Sequence, residues 1–316
     1  MKRKVLKWTM MPALVLVVLL MTRCKDGGKV AGFNEKDSVE VGAEAEMDDK
    51  DSVEVEAKAE MDEIVFTSLK CNIENKYCAV DYTVSYPVSG SNRVMVDRTR
   101  EWINEMLWYM CSEVIDKGLG QRYNGDLADG QALVDHYAKE ARDIFCSGEC
   151  KEEVDEYGWV LLNSISVIYK CDRYVTMMSD YHHLPAGSVD GGTPGSMGVT
   201  VCCDGRRITW GMFENSRSSA FQKILRKEAI DNIEEMFCFE NNEKIPLPKC
   251  PPLLTAEGVM FIYQPGEGIA ECIPPHRTVQ FTVPYDRMKA VMSPRLISFL
   301  GLDSEKFNVR HLIQRK

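Results

Sequence analysis

The chain contains 316 residues, of which 45% are hydrophobic, and it carries a formal net charge of −10. This length and apolar content are enough for one large or two small folded domains. Beyond the first few residues there is no basic run with interleaved aromatic side chains. A nucleic-acid-binding protein is therefore not expected.

Residues 1–24 have the composition of a lipoprotein signal peptide. Several basic residues precede an uncharged run of 15 residues, Trp8–Thr22, which is too short to span a bilayer comfortably and suits a signal-peptide core. Cys24 follows directly after Arg23, where bacterial lipoproteins receive a diacylglycerol on the cysteine thiol. We therefore expect export, lipidation of Cys24 and anchoring in the cell envelope, with the outer membrane as the expected location. An ordinary signal peptide or an uncleaved anchor is the alternative.

Residues 25–63 are dominated by a 14-residue acidic unit that occurs twice, first as KDSVEVGAEAEMDD and then as KDSVEVEAKAEMDE. The two copies hold twelve acidic and three basic residues, so most of the net charge of the chain lies here. A segment with so few large apolar side chains cannot bury enough surface to offset its loss of conformational entropy. We predict a disordered tether that holds the folded part away from the membrane.

Hydrophobic periodicity predicts an N-terminal α+β subdomain over residues 64–157. Its expected order is two strands, a helix, a polar loop and a second helix. The strands are Ile64–Ile73 and Cys78–Tyr86, and the helices are Val96–Ile115 and Leu133–Phe145.

A second α+β subdomain is predicted over residues 158–316. Its expected elements are strands Trp159–Tyr169, Tyr174–Asp180 and Val199–Cys203, a helix from about Ser218 to Phe237, strands Val259–Tyr263 and Thr278–Val283, and a helical tail from Pro284 to Leu302. Strands follow strands too often for a regular βαβ repeat. The predicted fold class is therefore α+β, with antiparallel sheets and helices packed on one face.

Two long loops form the candidate working surface, because irregular segments held by a rigid sheet often carry function. The first, Gly187–Gly198, contains five glycines and a proline, and the second, Pro265–His276, separates two strands. If both loops leave the sheet at one edge, Asp190–Gly198 and Pro265–His276 form the two sides of one groove. The candidate ligand-binding residues are two tyrosines on its floor and four polar residues in the loops: Tyr181, Tyr263, Asp190, Glu267, Glu271 and His276.

Groups that could support catalysis are sparse. His182 and His183 are adjacent on a strand, so they face opposite ways and cannot both bind one metal ion without a kink. Glu267 and Glu271 could form a carboxylate pair for glycoside hydrolysis, although two acids in an exposed loop are more often solvated. No catalytic residue, metal site or cofactor is predicted.

Eleven cysteines remain after Cys24. In an exported protein we expect about one to four disulfides that stabilise the fold. The candidate pairs are Cys71 with Cys78, which flank the first predicted hairpin, and Cys146 with Cys150, near the end of the second helix.

The stretch from Gly258 to Tyr285 starts with GVMFIYQP and, after the loop, continues with VPYDRMK. It resembles the RsiV-like C-terminal domain of unknown function, a family also found in Bacteroidetes envelope lipoproteins. The resemblance covers roughly Ser164 to Leu302, with a weaker match upstream from Glu63. A histidine that this family carries after its middle strands is missing near Thr193 and Pro194, and the aromatic residues of its last loop are missing from residues 266–271.

The resemblance implies an extracytoplasmic domain that binds a protein of the lysozyme type. Only seven residues precede the apolar core of the signal peptide, so no cytoplasmic domain and no sigma factor partner are expected. Two function classes stay open. One is a non-catalytic envelope lipoprotein that binds a protein or a glycan, and the other is a cell-wall or dietary glycan hydrolase or accessory enzyme that uses loop carboxylates.

Lipidation of Cys24 can be tested by metabolic labelling with a radioactive fatty acid. The wild-type protein should take up the label, and Cys24→Ser should not, because the substitution removes the thiol that is acylated. Equal labelling of the two proteins would contradict the signal-peptide assignment.

Overall fold

The computed structural model describes residues 63–75, 78–111, 120–146, 158–185, 193–213, 219–232, 245–265, 267 and 278–303. All of them belong to one compact unit, Lys58–Lys316. The predicted signal peptide, the lipidation site Cys24 and nearly all of the predicted tether lie outside the described residues.

The described part of the chain contains eight strands and five α-helices. The strands are β1 Val65–Glu74, β2 Cys78–Ser89, β3 Trp159–Lys170, β4 Tyr174–Pro185, β5 Thr193–Cys202, β6 Leu253–Leu254, β7 Gly258–Tyr263 and β8 Val279–Pro284. The helices are α1 Arg93–Tyr109, α2 Gly130–Cys146, α3 Ser219–Asn232, α4 Tyr285–Met288 and α5 Pro294–Leu300. The α+β class predicted from the sequence is confirmed. None of the helices in the described ranges is both long and apolar enough to cross a bilayer.

The larger sheet has the strand order β1-β2-β3-β4-β5. Every neighbouring pair is antiparallel except β2 and β3, which are parallel. A parallel pair needs a long crossover connection, and here that connection carries α1 and α2. The two predicted subdomains therefore share one sheet, since β1 and β2 come from the first and β3 to β5 from the second.

The first core lies between this sheet and the helices α1 and α2. Alternate residues of β2 are buried on the helix side, among them Val80, Tyr82 and Val84, and they pack with Ile103 and Leu107 of α1. The period of two in the strand and the helical spacing in α1 place both apolar sets on facing surfaces.

The smaller sheet, in the order β6-β7-β8, lies against the other face of β4 and β5. Two hydroxyl groups join the layers: Thr176 Oγ1 donates to Leu254 O at 2.5 Å, and Leu254 N donates to Thr200 Oγ1 at 2.9 Å. The outer face of the small sheet buries Phe261 and Phe281 against α3 and forms much of a second core. This sheet covers only part of the larger one, and the site described below depends on that.

Strand β5 begins at Thr193, whereas the sequence predicted a loop from Gly187 to Gly198 and a strand only from Val199. The loop prediction is wrong from Thr193 onward, and residues 186–192 lie outside the described residues. The glycines of β5 serve close packing. The ring of Tyr181 fills the space that a Cβ of Gly195 would need, and Leu253 does the same at Gly198.

Within the described part of the chain, no strand pairs with the outer edge of β5 over most of its length, yet many of its outward backbone groups find partners. Pro194 has no N–H to satisfy at this edge, which is why a proline is tolerated there. Several other outward groups bond to side chains or to irregular backbone. The bonded pairs are Ser196 with Gln264, Gly198 with Cys250 Sγ, Thr200 with Ile208, and Cys202 with Arg206.

Six cysteines of the described residues have free thiols: Cys71, Cys111, Cys171, Cys202, Cys203 and Cys250. The expected bridge between Cys71 and Cys78 is not formed, because Cys71 lies opposite Tyr82 in the hairpin. Cys150 and the side chain of Cys146 lie outside the described residues.

Packing of the two sheets can be tested at Leu253, which is fully buried against Gly198. Leu253→Ala should lower the free energy of unfolding by about 2–5 kcal/mol, because it removes buried methyl groups and leaves a cavity. Val94→Ala is the control, since Val94 is 50% exposed and its truncation should cost about 0.5 kcal/mol or less. Equal losses in urea unfolding would contradict the two-layer packing.

Candidate binding groove

An open groove lies where the small sheet stops covering the large one. Thr176 and Thr200 are fully buried beneath β6, whereas Leu162, on the same face of the large sheet, is 43% exposed. The cavity volume is about 540 Å³. We call it the sheet-face groove, lined by Asp81, Thr83, Leu162, Asn163, Ser164, Asp180, Tyr181, His182, Pro194, Gly195, Ser196 and Thr278.

Strand register places the floor of the groove in two rows, each crossing β2, β3, β4 and β5. The first, the hydroxyl row, consists of Thr83, Ser164, Asp180 and Ser196. The second row consists of Asp81, Leu162, His182 and Pro194. Strands lie about 4.8 Å apart, so four strands present these groups over about 14 Å, with roughly 6.6 Å between the rows.

Asp180 stands in the hydroxyl row with a fixed neighbour. Ser196 Oγ donates to Asp180 Oδ1 at 2.5 Å, and Gln280 Nε2 approaches the same hydroxyl at 3.4 Å. Asp180 and Ser196 are direct partners on β4 and β5. The backbone of Ser196 bonds away from β4, so this is a non-hydrogen-bonded pair, in which facing side chains come closest.

The groove contains two carboxylates, Asp81 and Asp180, and no lysine or arginine appears among its described lining residues. Its polar groups are therefore mainly acceptors and hydroxyls. Within the described ranges, no three His, Cys, Asp or Glu side chains are close enough together to hold a metal ion.

Tyr181 borders the groove, but its ring packs over Gly195 and belongs to the first core. Burial is the main reason why the pKa of its phenol rises to about 12. Tyr263, the other predicted floor residue, is fully enclosed in the second core. Its hydroxyl donates to Pro246 O at 3.0 Å, and its ring stacks on Phe281.

Glu267 was expected to be an exposed loop acid, and that expectation is wrong, because the residue is only 7% exposed. Its Oε2 accepts a bond from Gln264 N at 2.8 Å, and its Oε1 accepts one from Lys249 N. The carboxylate thus holds two backbone segments together beside the groove. Asp190, Glu271 and His276, the other predicted site residues, lie outside the described residues.

The histidine pair behaves as strand alternation predicts. His182 lines the groove, whereas the ring of His183 packs at a tilt against Trp159 on the helix side, with centroids 4.9 Å apart. Burial lowers the pKa of His183, and neighbouring His182 lowers it further.

The described ends of both predicted loops border the same groove. His182 and Pro194 lie on the strands that enter and leave the first loop, and Thr278 follows the second loop. Sequence analysis missed the hydroxyl row itself. The only sequence signal for this row is the alternation of polar and apolar residues in β2 and β3. Any strand with one solvent-facing side has the same pattern, so the signal does not identify a site.

A second cavity of about 690 Å³ lies at the end of β1, between Glu63, Val65 and Gly90. Its walls carry fewer polar side chains, and Lys170 already pairs with Glu63 at 3.0 Å. The sheet-face groove is therefore the better candidate site, since polar groups from four strands converge on it.

No protein-family model and no curated protein matches this sequence. Among solved structures, a member of the DUF3298 family from Bacteroides fragilis is similar, with a TM-score of 0.53 and 14% identity over 76% of this chain and 98% of that chain. A DUF3298 family protein from Pseudomonas aeruginosa has a TM-score of 0.46 and 14% identity over 74% of this chain and 96% of that chain. At such identities the likeness to the Bacteroides protein shows the fold alone.

The role of Glu267 can be tested by Glu267→Gln. The amide would turn a donor toward a backbone N–H that now bonds to a carboxylate oxygen, so the free energy of unfolding should fall by about 1–3 kcal/mol. Glu257→Gln is the matched control, because Glu257 is exposed and should tolerate the same change. Equal melting temperatures for the two variants would contradict the structural role of Glu267.

Proposed function

We propose that this protein is an envelope-anchored, non-catalytic lipoprotein whose extracytoplasmic domain binds a glycan in the sheet-face groove. Lipidated Cys24 would hold it in the outer membrane, and the acidic tether would present the folded domain at a distance. The chemistry of the hydroxyl row carries the proposal.

The hydroxyl row supports a ligand rich in hydroxyl groups. Thr83 and Ser164 can each donate and accept, Ser196 Oγ already donates its proton to Asp180, and Asp180 is an acceptor with one oxygen bonded to Ser196. A saccharide presents alternating donors and acceptors over a similar length. Four polar positions spread over about 14 Å can bond to several hydroxyl groups of one saccharide. A ligand with a single point charge would not use all four positions.

Size and lining also agree with a ligand site. The groove volume of about 540 Å³ falls within the range of about 300–1,000 Å³ found for small-molecule sites. Leu162 adds an exposed apolar surface between the two carboxylates, on which the carbon face of a sugar ring could rest.

The bonding of Ser196 favours binding over covalent catalysis. Its hydroxyl donates directly to Asp180, so its proton is not held by an imidazole base of the kind that activates a serine nucleophile. Glu267, one of the two loop acids suggested for hydrolysis, is occupied by two backbone amides.

The proposal can be tested with the purified full chain on a glycan array that includes peptidoglycan fragments and dietary polysaccharides. Asp180→Asn should weaken retention of the bound glycans by about ten- to a hundredfold, the effect of losing a hydrogen bond to a charged group. Asp143→Asn is the control, because Asp143 is exposed on α2 and should leave binding unchanged.

Two other outcomes would replace this proposal. If the wild type binds a lysozyme but no glycan, and Asp180→Asn weakens that binding, the groove takes a protein, as the RsiV-like resemblance implies. If mass spectrometry shows that wild type cleaves a glycan and Asp180→Asn does not, the protein is a hydrolase. Equal retention by Asp180→Asn and Asp143→Asn would place the site elsewhere.

A further inference from the structure

Gln264 makes two hydrogen bonds to the edge of the groove. Its side-chain carboxamide bonds to both backbone groups of one residue on β5: Ser196 N donates to Oε1 at 3.0 Å, and Nε2 donates to Ser196 O. One residue of an antiparallel neighbouring strand would offer the same donor and acceptor through its own N–H and C=O. The carboxamide therefore takes the place of a strand beside β5 at this one position.

The backbone of Gln264 is held in place by the Glu267 carboxylate. Its backbone N–H bonds to Glu267 Oε2 at 2.8 Å, and the other oxygen of Glu267 accepts from Lys249 N. Because Glu267 is buried and both of its oxygens are used, the turn after β7 has little freedom to move the carboxamide.

Both ends of the β7–β8 connection reach Ser196. Gln264 precedes that connection and bonds to the Ser196 backbone, and Gln280 follows it and approaches the Ser196 hydroxyl at 3.4 Å. The same hydroxyl donates to Asp180. A continuous set of hydrogen bonds thus runs from Glu267 through Gln264 and Ser196 to the carboxylate at the centre of the hydroxyl row.

We propose that Gln264 is a positioning residue for the sheet-face groove. It fixes the backbone of Ser196, which fixes the hydroxyl that orients Asp180, so the carboxylate presents one chosen oxygen to the ligand. We refer to the carboxamide and its two bonds as the Gln264 clamp. The inference rests on the proposed function only in assuming that this groove holds the ligand, and the clamp itself can be measured without one.

The first measurement is amide hydrogen exchange at Ser196, followed by NMR in the full chain. Gln264→Ala should speed this exchange by about tenfold or more, because the N–H loses its acceptor. The ¹³C resonance of the Asp180 carboxyl group should move as well. If Gln264→Ala does not fold, Gln264→Glu, which keeps the size of the side chain, takes its place.

Gln264→Glu provides a reversible version of the test. At neutral pH the introduced carboxylate can still accept from Ser196 N, but it sets a negative oxygen against the Ser196 carbonyl, so protection should fall. Below about pH 4.3 the introduced carboxyl becomes a donor, and the protection factor of Ser196 should recover. A residue with only a space-filling role would not produce this pH dependence.

Gln222 supplies a matched control within the same domain. Its carboxamide makes the same pair of bonds to another backbone position: Ile245 N donates to Oε1 at 2.8 Å, and Nε2 donates to Ile245 O at 3.0 Å. Gln222→Ala removes an equivalent clamp on α3, away from the groove. It should leave Ser196 exchange and the Asp180 resonance unchanged.

The clamp is rejected if Gln264→Ala leaves Ser196 exchange at the wild-type rate, or if Gln222→Ala changes Ser196 and Asp180 as strongly. A failure of the proposed function can be told apart from a failure of the clamp. If Gln264→Ala frees Ser196 while Asp180→Asn retains glycans as the wild type does, the clamp stands and the groove is not the glycan site.

Discussion

The rest of the structure depends on how the backbone groups at the outer edge of β5 obtain hydrogen-bond partners. An edge strand presents N–H and C=O groups that would either remain unsatisfied or recruit another chain. Here the side chains of Gln264 and Cys250 bond to two of these positions, and the segment around Ile208 bonds to others. These partners come from the small sheet and the segments near it. The hydrogen bonds to this edge therefore hold the small sheet against β4 and β5. The same face of β2 and β3 stays open.

The groove follows from this partial cover. Where β6 covers β4 and β5, the buried hydroxyls of Thr176 and Thr200 are hydrogen-bonded to each other and to Leu254. Toward β2 the cover ends, and the same face carries hydroxyls, carboxylates and one exposed leucine, Leu162. Convergence of polar groups on one concave surface is the common make-up of a binding site, and β-strands hold such groups more rigidly than loops do.

The described ends of the two loops that stand out in the sequence meet this groove from two sides. One loop connects β4 and β5 beside His182 and Pro194, and the other follows Gln264 and ends before Thr278. Under the proposed function, differences in such loops would change the ligand, while the strands keep the hydroxyl row in place. A shared fold with the Bacteroides protein is therefore compatible with different ligands.

Local patterns in the sequence determined the α+β class, the two N-terminal strands, the first two helices and the strands that flank Pro265–His276, because strand and helix periods are written into short stretches of residues. Tertiary structure alone decided three things. Gly195 and Gly198 belong to a strand because Tyr181 and Leu253 fill the space beside them, although glycine locally favours a loop. Glu267 is buried where its carboxylate bonds to the nearby amide of Gln264 and to the amide of Lys249, which comes from a separate segment. The hydroxyl row became a site only through strand register and the limited reach of the small sheet, which depend on pairings between residues far apart in the chain.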